Sequence, residues 1–269
     1  MLFSKLNLKN NILKNQKNYK IFSSKVRKSI LKVANISGCS HIGSNLSIVD
    51  ILTVIYQKFL KKNNSFILSK GHACLSLYCV LKEKGIISEK TLNTFGKNNS
   101  ILMSHTSHKV KGIDLSTGSR GHGLPVATGV ALAKRIKKIK SKIFVLLSDG
   151  ELDEGSNWES LLFCAHHKLN NIVIIIDYNK IQSIDLVKKT LGLEPILKKF
   201  QSFGFKTLSI DGHNFKQIDR ALNSKSSKPL VIIANTIKGK GVKFMENSIL
   251  WHYKSLDLEN YKKAIKIIK

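Results

Sequence analysis

Arginine is nearly absent from this 269-residue chain: Arg27, Arg120, Arg135 and Arg220 are the four, leaving 45 − 4 = 41 lysines. Acids are few as well, and the formal charge is 45 − 17 = +28. A charge of that size suggests nucleic acid as a partner. Sequence-reading proteins, however, favour arginine forks and interleaved aromatics, whereas these lysines are spread evenly beside abundant Asn. They read as a compositional bias, which argues against a specific nucleic-acid role and leaves nonspecific polyanion contact open. Three prolines and no visible internal repeat leave few linkers, so one domain is expected. Long apolar runs are missing too. Ile143 to Leu147 and Ile172 to Ile176 are five residues each, against roughly 20 for a spanning helix, so no membrane crossing is expected. Cys39, Cys74, Cys79 and Cys164 form no CxxC pair and read as reduced thiols of a cytoplasmic protein. The start of the chain lacks the apolar stretch of a secretory signal. Residues 1–24 contain no acid and no arginine and read as a basic extension, frayed or docking, ahead of a domain over 25–269.

What is present alternates. Val26, Ile30, Val33 and Ser37 keep a helical spacing that Gly38 can end, and Ile48, Ile51, Leu52, Ile55 and Phe59 make a second apolar stripe. Phe66 to Leu68 is the first strand candidate. Helices are expected over Ala73 to Lys84, Gly123 to Lys138, Gly155 to Lys168, Pro195 to Phe203 and Phe215 to Leu222. Strands are expected over Ile143 to Leu147, Ile172 to Ile176, Thr207 to Ile210 and Leu230 to Ala234. This order predicts an α/β fold, a doubly wound and mostly parallel sheet with helices on both faces. Ligands of such sheets bind at the carboxyl ends of the strands.

Two of those ends carry more polarity than a structural sheet requires. Ser148-Asp149-Gly150 follows one strand and Asp177-Tyr178-Asn179-Lys180-Ile181 another. If the strands are neighbours, the Asp149 carboxylate, the Asn179 amide oxygen and the Ile181 carbonyl can converge on one hard cation. Mg²⁺ takes this mix of oxygens, with water and phosphate completing an octahedron. Singly, each residue also suits an ordinary turn.

Ser148-Asp149-Gly150 with Asn179 downstream resembles the GDG…N signature by which thiamine-diphosphate enzymes hold Mg²⁺ and the cofactor diphosphate. More narrowly, the chain resembles the N-terminal, diphosphate-binding part of transketolase, and that family's thiamine-diphosphate-binding fold is the implied one. The matching stretches are SGCSHIGSNLSIVDIL around His41, SKGHA around His72, HTSHKVKGIDLSTGSRGHG from His105, SDGELDEGSNWE from Ser148, DYNKIQ from Asp177, and TIKGKGVKFMENSILWH ending at His252. The resemblance implies that His41 and His105 contact donor hydroxyls and carbonyl. It places His72 and His252 between diphosphate and reacting carbon, and Gly150 and Asn179 at the diphosphate. Imidazoles titrate near neutral pH, as proton transfer on a sugar requires. His108, His122, His166, His167 and His213 are assigned no catalytic role.

Gly118, Ser119, Gly121 and Gly123 resemble the family's TGSLGQG loop, in which absent side chains let cofactor approach backbone. Arg120 replaces the loop's apolar residue and His122 its Gln, which makes Arg120 a candidate for cofactor contact or for an anionic substrate group. Glu154 and Glu159 occupy positions where the family carries interface glutamates that relay protons. An acidic helix start is the equal alternative. Lys238-Gly239-Lys240-Gly241 is no Walker loop and resembles a loop closing over the site. The family's pyrimidine-activating glutamate comes from a later domain, so a C-terminal partner subunit carrying that domain is expected, in a hetero-oligomer such as a heterotetramer. The implied activity is transfer of a two-carbon ketol unit between sugar phosphates. The alternatives are half of a deoxyxylulose phosphate synthase-like enzyme and a cofactor-binding pseudoenzyme.

Overall fold

The apolar runs form the middle of a five-stranded parallel sheet. A computed structural model describes the backbone of residues 2–61 and 63–268, and side chains from Lys14 to Ile268 apart from Lys62. Strands β1 (Ser65–Leu68), β2 (Ile143–Ser148), β3 (Ile172–Tyr178), β4 (Lys206–Asp211) and β5 (Leu230–Asn235) lie in the order β1-β2-β3-β5-β4. Every pairing is parallel. All residues of β2 and β3 are buried, because helices cover both faces and neither face can be polar.

Alternation along the strands divides the core in two. Phe144, Leu146, Val173, Ile175 and Ile232 face the cluster built with the Leu2–Ser37, Val49–Val54, Cys74–Glu83, Phe215–Leu222 and Leu258–Ile267 helices. Val145, Leu147, Ile174, Ile176 and Val231 face the one built with the Gly123–Ile136, Gly155–His166 and Ile196–Ser202 helices. Burying each such aliphatic side chain stabilises by about 1.5–3 kcal/mol.

The expected strands are present within one or two residues at either end. Differences concentrate at the helices. The first helix runs unbroken from Leu2 to Ser37 across the expected boundary at 24–25, and Tyr19 and Phe22 are buried in the core, with Tyr19 packed on Phe215. Side chains before Lys14 lie outside the described ones. Gly38 ends this helix at a φ of 64°, a conformation that favours glycine. The second apolar stripe divides into Val49–Val54 and a wider turn at Ile55–Phe59. A short helix at Ile42–Ser47 precedes it, wholly buried and without the polar face that makes a surface helix legible.

Candidate functional site

At the carboxyl edge of the sheet Ser148 and Asp177 stand side by side in register, so the polar residues after β2 and β3 share one rim. Asp149 accepts the Gly150 amide at 2.8 Å and the Lys180 amide at 2.6 Å. The Asn179 amide oxygen accepts from the Ile181 N–H at 3.1 Å, and its nitrogen donates to Asp177. Burial, and next the Asp177 carboxylate, push Asp149 up to about 7. Asp177 is equally buried, but Lys70 donates to it at 2.5 Å and holds it below the usual carboxylate range, with Ser47 and Thr236 hydroxyls also donating. Two carboxylates therefore share a dry site in which Lys70 is bonded to Asp177, and Asp149 is bonded by backbone amides and by no ammonium. That deficit is what a bound cation beside Asp149 relieves.

The rim opens into a cavity of about 170 Å³ lined by His41, His72, Ser119, Arg120, Asp149 and Gly150, together with Asn179, Ile181 and His252. Nine of the sequence-derived site residues thus meet in one place. The ring of His41 lies 4.8 Å from that of His252 and 5.5 Å from that of His72. His41 sits at φ 65° before the Ile42–Ser47 helix, its N–H donating to the His252 carbonyl at 2.8 Å. Burial, then neighbouring cations and rings, lower His41 to about 4 and His252 to about 3; His72 falls well below the ordinary value for the same first reason. All three are neutral at pH 7. His105 stands apart from the cavity lining, with Nε2 2.9 Å from the Ser119 hydroxyl, and burial lowers it too.

The depressed histidines give a pH signature. A lowered folded pKa means that the unfolded chain takes up protons first, so stability held above pH 6.5 is lost as pH falls toward 4. His41→Asn keeps a residue that tolerates the left-handed backbone and removes one such group. Urea midpoints measured between pH 4 and 7 are expected to fall less steeply with acid in the variant than in the wild type.

Four charged residues of the site were given no role of their own from sequence. Lys70 and Lys238 are fully buried. The Lys238 ammonium donates to the carbonyls of Ile181 and Gln182 at 3.1 and 3.0 Å and to His252 Nδ1 at 2.8 Å. That bond makes Nδ1 the acceptor and leaves the proton on Nε2. Burial, and then Lys70, lower Lys238 to about 8. Asp177 is the third, and Glu151 the fourth. Its carboxylate accepts from Ser69, from the Gly121 N–H at 2.9 Å and from the Ser148 N–H, and burial raises it to about 7. Glu151 thereby fixes the Gly118–Gly123 turn. Gly71 donates to the Gly118 carbonyl at 2.9 Å, and a Cβ on Gly71 would stand 2.4 Å from that oxygen, so this approach requires glycine. Gly118 and Gly121 act through such backbone contacts and do not line the cavity.

Glu154 lies outside the cavity, half exposed, 3.9 Å from Arg120. It occupies the residue before the Gly155–His166 helix without a side-chain capping bond, and Glu159 is exposed on that helix. Among the described residues no three His, Cys, Asp or Glu side chains group as a metal cluster; the candidate donor set is one carboxylate, one amide and one carbonyl. No described helix is long and apolar enough to cross a membrane.

Residues 22–267 match the transketolase, thiamine diphosphate binding domain family. The A subunit of apulose-4-phosphate transketolase from Actinobacillus succinogenes is 41% identical over 85% of this chain and 87% of its own length. The 6-deoxy-6-sulfo-D-fructose transketolase subunit SqwG of a Clostridium species is 34% identical over 89% and 92%. Human transketolase is 33% identical over 87% of this chain and 39% of its own. The crystal structure of Campylobacter jejuni transketolase superposes with a TM-score of 0.86 at 30% identity, over 94% of this chain and 42% of that one. The chain thus spans about two-fifths of the length of those two transketolases. A parallel sheet with its histidines, buried lysines and Asp–Asn rim at one edge, matched over nearly its whole length by these relatives, belongs to the transketolase family, as that family's thiamine diphosphate binding domain.

Proposed function

We propose that this chain is the diphosphate-binding subunit of a two-chain transketolase that moves a two-carbon ketol unit between anionic sugars, using thiamine diphosphate and Mg²⁺. One observation carries the reading: a cavity lined by the buried Lys70, with the buried Lys238 ammonium bonded to its Ile181 and His252 walls, beside an Asp149 carboxylate that neither ammonium bonds. Such a site suits an anionic ligand bridged to the protein by a divalent ion. Asp149, Asn179 and the Ile181 carbonyl would hold Mg²⁺. Lys238, His72, His252, Ser119 and the backbone at Gly150 would surround the diphosphate.

Bound thiamine diphosphate supplies the nucleophilic carbon that receives the two-carbon unit. The chain's own contribution is orientation and proton handling. His252, its tautomer set by Lys238, presents an Nε2 proton for donation, and the neutral His41 and His72 rings can take a proton from a donor hydroxyl and return it. Ser119 belongs to the same wall, and His105 stands outside it, within hydrogen-bond distance of the Ser119 hydroxyl. Arg120 has only a 3.9 Å contact with Glu154, so its charge remains available to an anionic sugar. The two subunit relatives named above act on a phosphorylated and a sulfonated sugar by their names. Relatives that this chain matches over most of their length are named as single subunits of a transketolase, which supports a pyrimidine-binding partner.

The test is calorimetric titration with thiamine diphosphate and Mg²⁺, alongside ketol-transfer assays on a phosphoketose donor, with and without the complementary subunit. Expected are weak binding and negligible turnover alone, and activity rising with the amount of complex formed. Robust single-chain turnover would refute the two-chain reading.

A further inference from the structure

Arg27, Asp50 and His213, none of which lines the cavity, are used by none of the chemistry above. Arg27, in the Leu2–Ser37 helix, forks onto Asp50, with Nη1 to Oδ1 at 2.9 Å and Nη2 to Oδ2 at 2.7 Å. His213, in the turn after β4, places Nδ1 2.8 Å from Asp50 Oδ2. Its other nitrogen, Nε2, accepts from the Ile237 N–H at 2.8 Å. A backbone N–H only donates, so Nε2 is bare and the ring proton is on Nδ1, donated to Asp50. Burial alone would raise Asp50, yet Arg27 and His213 hold it below the ordinary carboxylate range. It is therefore an ionised acceptor that fixes both partners. Arg27 also donates through Nε to the Lys240 carbonyl at 3.2 Å.

The two backbone groups so held, Ile237 N–H and Lys240 C=O, flank Lys238. Gly239 lies between them and Gly241 just after, at φ 82° and 97°, and glycines lose the most freedom on being ordered. The ammonium of Lys238 must nevertheless reach a fixed point between Ile181, Gln182 and His252. We propose that Arg27, Asp50 and His213 are positioning residues that hold the Thr236–Gly241 loop so that the Lys238 ammonium stays against Ile181 and His252 in the cavity wall, and thereby set affinity for the terminal phosphate of the cofactor. This rests on the cavity being the diphosphate site.

The test uses the full chain co-purified with its complementary subunit. Affinities for thiamine diphosphate and for thiamine monophosphate are measured by calorimetry in wild type, His213→Phe, His213→Gln, Asp50→Asn, Lys238→Met and the His213→Phe/Lys238→Met double variant. Hydrogen exchange is followed over residues 236–242. His213→Phe should weaken thiamine diphosphate about tenfold, the scale of one lost buried hydrogen bond, and affect the monophosphate less. Exchange at Ile237 should quicken. His213→Gln restores an acceptor and should recover part of the affinity, while Asp50→Asn lets the ring proton move to Nε2 against the Ile237 N–H and should resemble His213→Phe. In the Lys238→Met background His213→Phe should add little. Full additivity there, or unchanged affinity in His213→Phe and Asp50→Asn with normal folding, overturns the positioning role. A wild type that binds the diphosphate no better than the monophosphate overturns the diphosphate reading instead.

Discussion

Asp149→Ala is expected to lower Mg²⁺-dependent affinity for thiamine diphosphate by at least about a hundredfold, beyond the 10–100-fold typical of removing a residue that merely supports a metal ligand. Loss of affinity alone would not separate a ligand from a structural residue. Stability does. Burial and the Asp177 charge already push Asp149 up to about 7, so at pH 8 its negative charge weakens the ligand-free fold. Ala removes that charge while stranding the Gly150 and Lys180 amides, and the two effects oppose each other. Chemical denaturation of the cofactor-free variant at pH 8 should therefore give nearly wild-type stability, alongside the collapsed affinity measured by calorimetry. Equal affinity in variant and wild type would remove Asp149 from the metal site.

Lys70→Met should be the most destabilising single change at the rim. Its ammonium and the Asp177 carboxylate are 1% and 0% exposed, so no water takes over when the cation is deleted. Removing one partner of a buried pair costs roughly 3–5 kcal/mol, because the other charge is left uncompensated. Without Lys70, Asp177 is raised by burial, and a raised folded pKa means stability that is lost as pH increases through it. The penalty, read from urea unfolding, is expected to be larger at pH 8 than at pH 5. Adding Asp177→Asn should recover part of it. A penalty that is independent of pH would contradict this account.

The fold was legible because β2, β3 and β5 are continuous apolar runs, which only a strand covered on both faces needs. Asp149 and Asn179 were legible as a pair of candidates, because each follows an apolar run and, although either alone suits an ordinary turn, adjacent strands would bring the two together. His41, His72 and His252 emerged through the family motifs around them. Lys70 and Lys238 lay inside two of those same motifs, SKGHA and TIKGKG, but in a chain with 41 lysines one more carries no compositional signal. Only the fold brings Lys70 to Asp177, 107 positions away. Glu151 was hidden similarly, since an acid at the start of a helix reads as an ordinary dipole partner. Arg27, Asp50 and His213 come from three elements, and nothing local marks any of them as part of a group.

The parallel order of the sheet also governs when the cavity can come into being. β1 and β2 pair residues 143 − 65 = 78 positions apart, and β3 must await β5 as its second neighbour because β4 takes the edge. Each of these closures orders a long chain segment before any contact rewards it, which makes such topologies slow to fold compared with helical bundles. The cavity walls run from His41 to Tyr253, so they cannot meet until the segment between them, 253 − 41 = 212 positions, has been ordered. Binding competence therefore comes late in folding, and until the sheet has closed the rim acids and lysines remain separate charges in water.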